Sequence, residues 1–104
     1  MKMKRTDIYI GLQDCASGFE EVCSSDVMML LERFFQKRLI PFSISVINGG
    51  YMNKSGGLIN ENSVKIHLIH ADKFDAEQLI RPLKMLLNQE TILMTEKDIE
   101  VEYL

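Results

Sequence analysis

Two stretches of strict alternation bracket a run of glycines. In FSISV (42–46), Phe42, Ile44 and Val46 alternate with two serines; in NSVKIHLIH (62–70), Val64, Ile66 and Leu68 alternate with Lys65, His67 and Ile69. A period of two marks a strand with one buried face and one uncovered face. Between them, GGYMNKSGGLINE supplies turn chemistry: Asn53 to Gly57 suits backbone with positive φ, and the Gly49-Gly50 pair suits a bulge or bend. The two strands therefore read as a β-hairpin, with Gly49, Gly50, Gly56, Gly57 and Glu61 as its characteristic residues. A phosphate-cradling loop would need a helix start directly after the glycines, and a strand follows instead.

The flanking segments complete a pattern. TDIYIGLQ (6–13) is branched and aromatic and reads as a strand. Ser24 and Ser25 suit a helix N-cap, with Asp26 in the first turn; Val27, Leu30, Leu31, Phe34 and Leu39 then recur at helical spacing opposite Glu32, Arg33, Gln36 and Lys37. This predicts a helix over about 25–39, stopped by Pro41. Asp72 or Asp75 caps a second helix with Ala76, Leu79, Ile80, Leu83, Leu86 and Leu87 on its apolar side, ending near Asn88. Pro82 inside it predicts a kink or a late start. TILMT (91–95) and IEVEYL (99–104) read as one long bulged strand or two short ones.

The order strand, helix, strand, strand, helix, strand predicts an α+β fold of the ferredoxin-like split β-α-β (βαββαβ) kind, with residues 1–104 forming one domain. Its four-stranded antiparallel sheet carries two helices on one face, with a possible extra C-terminal strand. In this reading the first and third strands are neighbours and parallel. Ile8, Ile10, Leu12, Val64, Ile66 and Leu68 face the helices, leaving Tyr9, Lys65, His67, Ser43 and Ser45 on the open face.

Composition narrows the function classes. A net charge of −3 repels phosphate backbones, which weighs against nucleic acid as a partner. IYIG (8–11) does have the shape of the first RNA-contacting strand of an RRM domain, but SVKIHLIH offers only His67 as a flat side chain where such a domain stacks a base. Two cysteines, Cys15 and Cys23, fit a reducing compartment and no metal-site spacing. With no apolar run long enough to span a bilayer and no signal-peptide pattern, a cytoplasmic protein without membrane contact is expected.

Gly50-Tyr51, then Gly57-x-Ile59-x-Glu61-x-Ser63, then Asn88-Gln89-Glu90-Thr91-Ile92-Leu93 resemble small bacterial families of unknown function with a ferredoxin-like or dimeric α+β layout. The resemblance covers a little over half the chain and departs from the pattern at Pro82. It implies the fold and carries no activity. Glu61 and the Gln89-Glu90 pair stand next to strand ends, where polar side chains serve hydrogen bonding or a ligand.

The reading favoured by the sequence is a self-associating binding module, a homo-dimer or higher homo-oligomer that uses the open sheet face or an edge strand, with Tyr9, His67, Lys65 and Ile69 at the interface. It leans against an enzyme and invokes no cofactor and no metal. His67 and His70, three apart on a strand, fall on opposite faces and cannot share an ion. The alternative is a small enzyme or ligand-binding protein with a cleft at Cys15 and His70, where Asp72 would orient the imidazole; RRM-like RNA binding stands third. The sequence leaves any small-molecule ligand unidentified.

Overall fold

The computed structural model describes residues 1–12, 24–52 and 54–104, with 24, 25, 51 and 59–61 described by their backbone alone. Its elements are β1 (Lys2–Gly11), α1 (Ser24–Arg38), β2 (Ser43–Met52), β3 (Leu58–His70), a 3-10 turn (Ala76–Leu79) leading into α2 (Ile80–Leu87), and β4 (Leu93–Glu100). The strands form one antiparallel sheet in the order β2-β3-β1-β4. With both helices packed on one face, this is the ferredoxin-like α+β layout. Among the described residues no helix is long and apolar enough to cross a membrane.

One expectation is corrected. β1 and β3 are neighbours but antiparallel, with Lys4 opposite His70 and Gly11 opposite Ser63. The reason is topological. A right-handed crossover through α1 makes β2 parallel to β1 with a one-strand gap between them, and the hairpin reverses direction, so β3 fills the gap running against both. Two smaller expectations also change. The β2–β3 ladder runs unbroken through Gly49 opposite Glu61 and Gly50 opposite Asn60, so no bulge forms there. β4 is one continuous strand that takes in Glu96 and Asp98, and residues 101–104 add no further strand.

Alternation decides what is buried. Ile8, Ile10 and Leu12 of β1 and its extension and Val64, Ile66 and Leu68 of β3 meet Val27, Leu31, Phe34 and Phe35 of α1 and Leu79 and Leu83 below the second helix. Phe35, outside the sequence-predicted stripe, is fully buried and stacks on Phe42 at 5.1 Å between ring centroids. Leu39, which the stripe included, is 89% exposed because the helix has already ended. Pro41 disfavours helical backbone at Ile40, and Leu39 takes a left-handed φ of 56° while Ile40 N–H bonds back to Phe35 O. The Arg38 guanidinium lies 3.6 Å from the Phe34 ring centroid, covering the last turn.

At the other helix Asp75 accepts a hydrogen bond from Glu77 N–H, so Asp75 and not Asp72 is the cap. Pro82 falls in the first turn of α2, where a missing N–H is tolerated; the 3-10 turn before it is the late start. Asn88 closes α2 in the left-handed region.

Two buried polar residues lie on the core side. Thr6 is fully buried and His70 nearly so. The Ala71 carbonyl can only accept, so His70 Nδ1–H donates to it at 2.9 Å; Nε2 lies 2.7 Å from Thr6 Oγ1, which is 3.3 Å from Glu96 Oε1. β1, β3 and β4 are thus joined by one polar chain beneath the sheet. Replacing Thr6 by valine leaves His70 Nε2 without its partner and is expected to lower the unfolding free energy by about 1–3 kcal/mol. Leu39→Gly, which removes the left-handed penalty at an exposed site, should raise it by about 1 kcal/mol or less. Urea midpoints at constant slope read both changes; a Thr6→Val protein as stable as the parent would show that the chain contributes nothing.

Candidate functional site

On the uncovered face, register builds rows across the sheet. Ser43, His67, Asp7 and Thr95 form one row, and Ser45, Lys65, Tyr9 and Leu93 the next; on the other side Arg5 lies between Ile69 and Lys97. Three cations, Arg5, Lys65 and Lys97, share this face with the single carboxylate of Asp7 among the described side chains of the four-stranded part. On a chain of net charge −3, the open face is therefore locally cationic.

Asp7 is the anomaly, because a carboxylate on the helix-free side is only 5% exposed. Both of its oxygens are engaged. Oδ1 accepts from His67 Nδ1 at 2.8 Å, and Oδ2 lies 3.4 Å from Arg5 Nε, an ion contact whose geometry falls short of a hydrogen bond. An ionised carboxylate only accepts, so His67 carries its proton on Nδ1, and Nε2 keeps no protein partner among the described residues. One row away, Lys65 Nζ stands 5.8 Å from the centroid of the Tyr9 ring.

The structure brings Tyr9, Lys65, His67 and Ile69 onto this face, with Ile69 41% exposed. Of the Cys15, His70 and Asp72 grouping only His70 and Asp72 lie among the described residues. That juxtaposition needed parallel strands, and in the antiparallel pairing the end of β1 that leads towards Cys15 lies at Ser63, seven residues and about 23 Å along β3 from His70. Both nitrogens of His70 are taken by Thr6 and Ala71, and Asp72 pairs with Lys4 at 3.8 Å. Asp14, Cys15 and Cys23 lie outside the described residues. No group of three or more His, Cys, Asp or Glu among the described residues could hold a metal ion.

Sequence reasoning missed Arg5 and Asp7. The only signal is an acidic residue inside an otherwise apolar strand, and its meaning depends on the register that sets it beside His67.

A second feature is an arm. Among the described residues β1 pairs with β3 from His70 to Ser63, with one further bond from Leu12 N–H to Asn62 O, whereas β2 and β3 continue as a two-stranded ribbon to Met52 opposite Leu58. Asn48 Nδ2 donates to Asn62 Oδ1 at 2.9 Å at its base, and Gly56, with φ of 84°, turns its tip. Glu61 and Gly49 pair within it. Met52 and Leu58 are 64% and 68% exposed, and a lone two-stranded ribbon is marginally stable in water. The arm lengthens the molecule to 47 × 29 × 24 Å, with a radius of gyration of 15.0 Å against about 13 Å for a compact chain of this size.

No family model matches this chain, and no curated protein does. Solved structures of a phage SAM lyase match it from end to end. The apo form is 19% identical with a TM-score of 0.62, covering 99% of this chain and 93% of that one. The complex with S-methyl-5′-thioadenosine is 20% identical with a TM-score of 0.57, covering 98% and 92%. At these identities the likeness is one of fold alone.

Proposed function

We propose that this chain is the subunit of a small homo-oligomeric enzyme that binds and cleaves an adenosyl sulfonium of the S-adenosylmethionine type. The observation that carries this reading is the agreement in fold, over nearly the whole length of both chains, with a phage SAM lyase, one form of which holds S-methyl-5′-thioadenosine.

The chemistry follows from that molecule. S-methyl-5′-thioadenosine keeps the methyl and adenosyl groups on sulfur, so the bond that breaks joins sulfur to the aminobutyrate chain. The electron pair of that bond stays with sulfur, turning the sulfonium into a neutral thioether. A lyase adds no water, so the four-carbon fragment closes on its own carboxylate, whose oxygen displaces the sulfur with no external base. Such a reaction needs no oxidant; it needs a bound conformation and a site that excludes water.

A single open sheet cannot exclude water, which is the reason to invoke a second copy. The arm supports self-association: exposed Met52 and Leu58, on a ribbon with no third strand among the described residues, are suited to lie over the open face of an adjacent protomer. Glu61 is the one acidic residue in the arm segment 47–62, and a cationic sulfonium favours a carboxylate. A self-associating module without catalysis is the second reading, favoured by the same exposed arm.

Incubation of the purified protein with S-adenosylmethionine is expected to release S-methyl-5′-thioadenosine, followed by chromatography, with Glu61→Gln at least tenfold slower. No product above the uncatalysed background would leave the module reading. Light scattering should give a mass that is a multiple of one chain, and the double variant Met52→Asp, Leu58→Asp should fall to a single chain with unchanged far-ultraviolet circular dichroism. A parent protein that is monomeric at high concentration would rule out the shared site.

A further inference from the structure

Burying Asp7 is costly, and a threonine or valine would cover a sheet as well. What the carboxylate does is hold two groups. It fixes the tautomer and plane of His67, and it anchors Arg5 two residues along the same strand. The Arg5 side chain stays 40% exposed and that of His67 34% exposed. Outward from this platform the face presents guanidinium N–H donors from Arg5, the ammonium of Lys65 on the opposite side of the His67 row, and His67 Nε2, which has no partner among the described residues.

These groups select among ligands. Arg5 and Lys65 flank the His67 row from opposite sides, so a carboxylate seated over that row would accept from them, while an ammonium or hydroxyl would donate to a neutral His67 at Nε2. An α-amino acid carries a carboxylate and an ammonium on one carbon, and the surplus of cations on the face matches its carboxylate.

We propose that Arg5, Lys65 and His67 form the subsite for the α-amino-acid head of the ligand, with Asp7 as the positioning residue behind them. This rests on the adenosyl-sulfonium reading. The adenosyl part would lie further along the face, past Tyr9.

Titration calorimetry with two neutral thioethers isolates the head: S-adenosylhomocysteine carries it, and S-methyl-5′-thioadenosine lacks it. Arg5→Gln and Lys65→Met, both at exposed side chains, are expected to weaken S-adenosylhomocysteine by roughly 10–100-fold each while leaving S-methyl-5′-thioadenosine within about twofold. Asp7→Asn keeps an acceptor for His67 but releases Arg5; it should lower the affinity ratio of the two ligands in a protein whose circular dichroism is unchanged, which a purely structural role would not do. If both ligands bind the parent protein and the variants weaken them equally or not at all, the head subsite is wrong and the adenosyl reading stands. If neither ligand binds the parent, both fall.

Discussion

The antiparallel pairing of β1 with β3 in the middle of the sheet is the contact on which the rest of the molecule depends. It joins the two outer strands, since β2 hangs on β3 and β4 hangs on β1. It also fixes parity: with Ile8 opposite Ile66 and Ile10 opposite Val64, every even position of these strands faces the helices and every odd one faces away. A slip of one residue would move Asp7 into the core and Ile8 into water, so the hydrophobic effect holds the register firmly.

Parity also separates two polar systems that are adjacent in sequence. Thr6 looks inward to His70 and Glu96, and Asp7 looks outward to His67 and Arg5. The inner chain is closed on itself: His70 has a partner at each nitrogen, which suits a structural tie between three strands. The outer system is open among the described residues, with one imidazole nitrogen and most of a guanidinium uncommitted there. Two histidines three residues apart thus have opposite characters, set by which side of the sheet the helices occupy.

The arm departs from the economy of the body. From His70 to Ser63 the sheet has β1 as a third strand and helices beneath it; beyond Asn62, among the described residues, β2 and β3 have only each other. Cross-strand pairs such as Asn48 with Asn62 add tenths of a kcal/mol up to about one, too little for a ribbon with apolar tips to be at rest in water. The self-association proposed above would give the arm a neighbour.

Alternation, helix caps, Pro41, Pro82 and the glycine-rich turn are local in origin, so the element order, the ferredoxin-like layout and the buried face of the first and third strands could be read from the residues alone. Tyr9, Lys65, His67 and Ile69 could be placed on the open face for the same reason, because side-chain direction along a strand depends only on parity. What the tertiary structure decided is everything that depends on pairing at a distance. The direction of β3 against β1 carried Ser63, not His70, to the end of β1 that leads towards Cys15. The register put Asp7 between His67 and Thr95, and the overhang of β2 and β3 past β1 made an arm from what reads in sequence as an ordinary hairpin. Cross-strand distances are set by burying the helix-facing side of the sheet as a whole, and no local stretch of sequence carries that information.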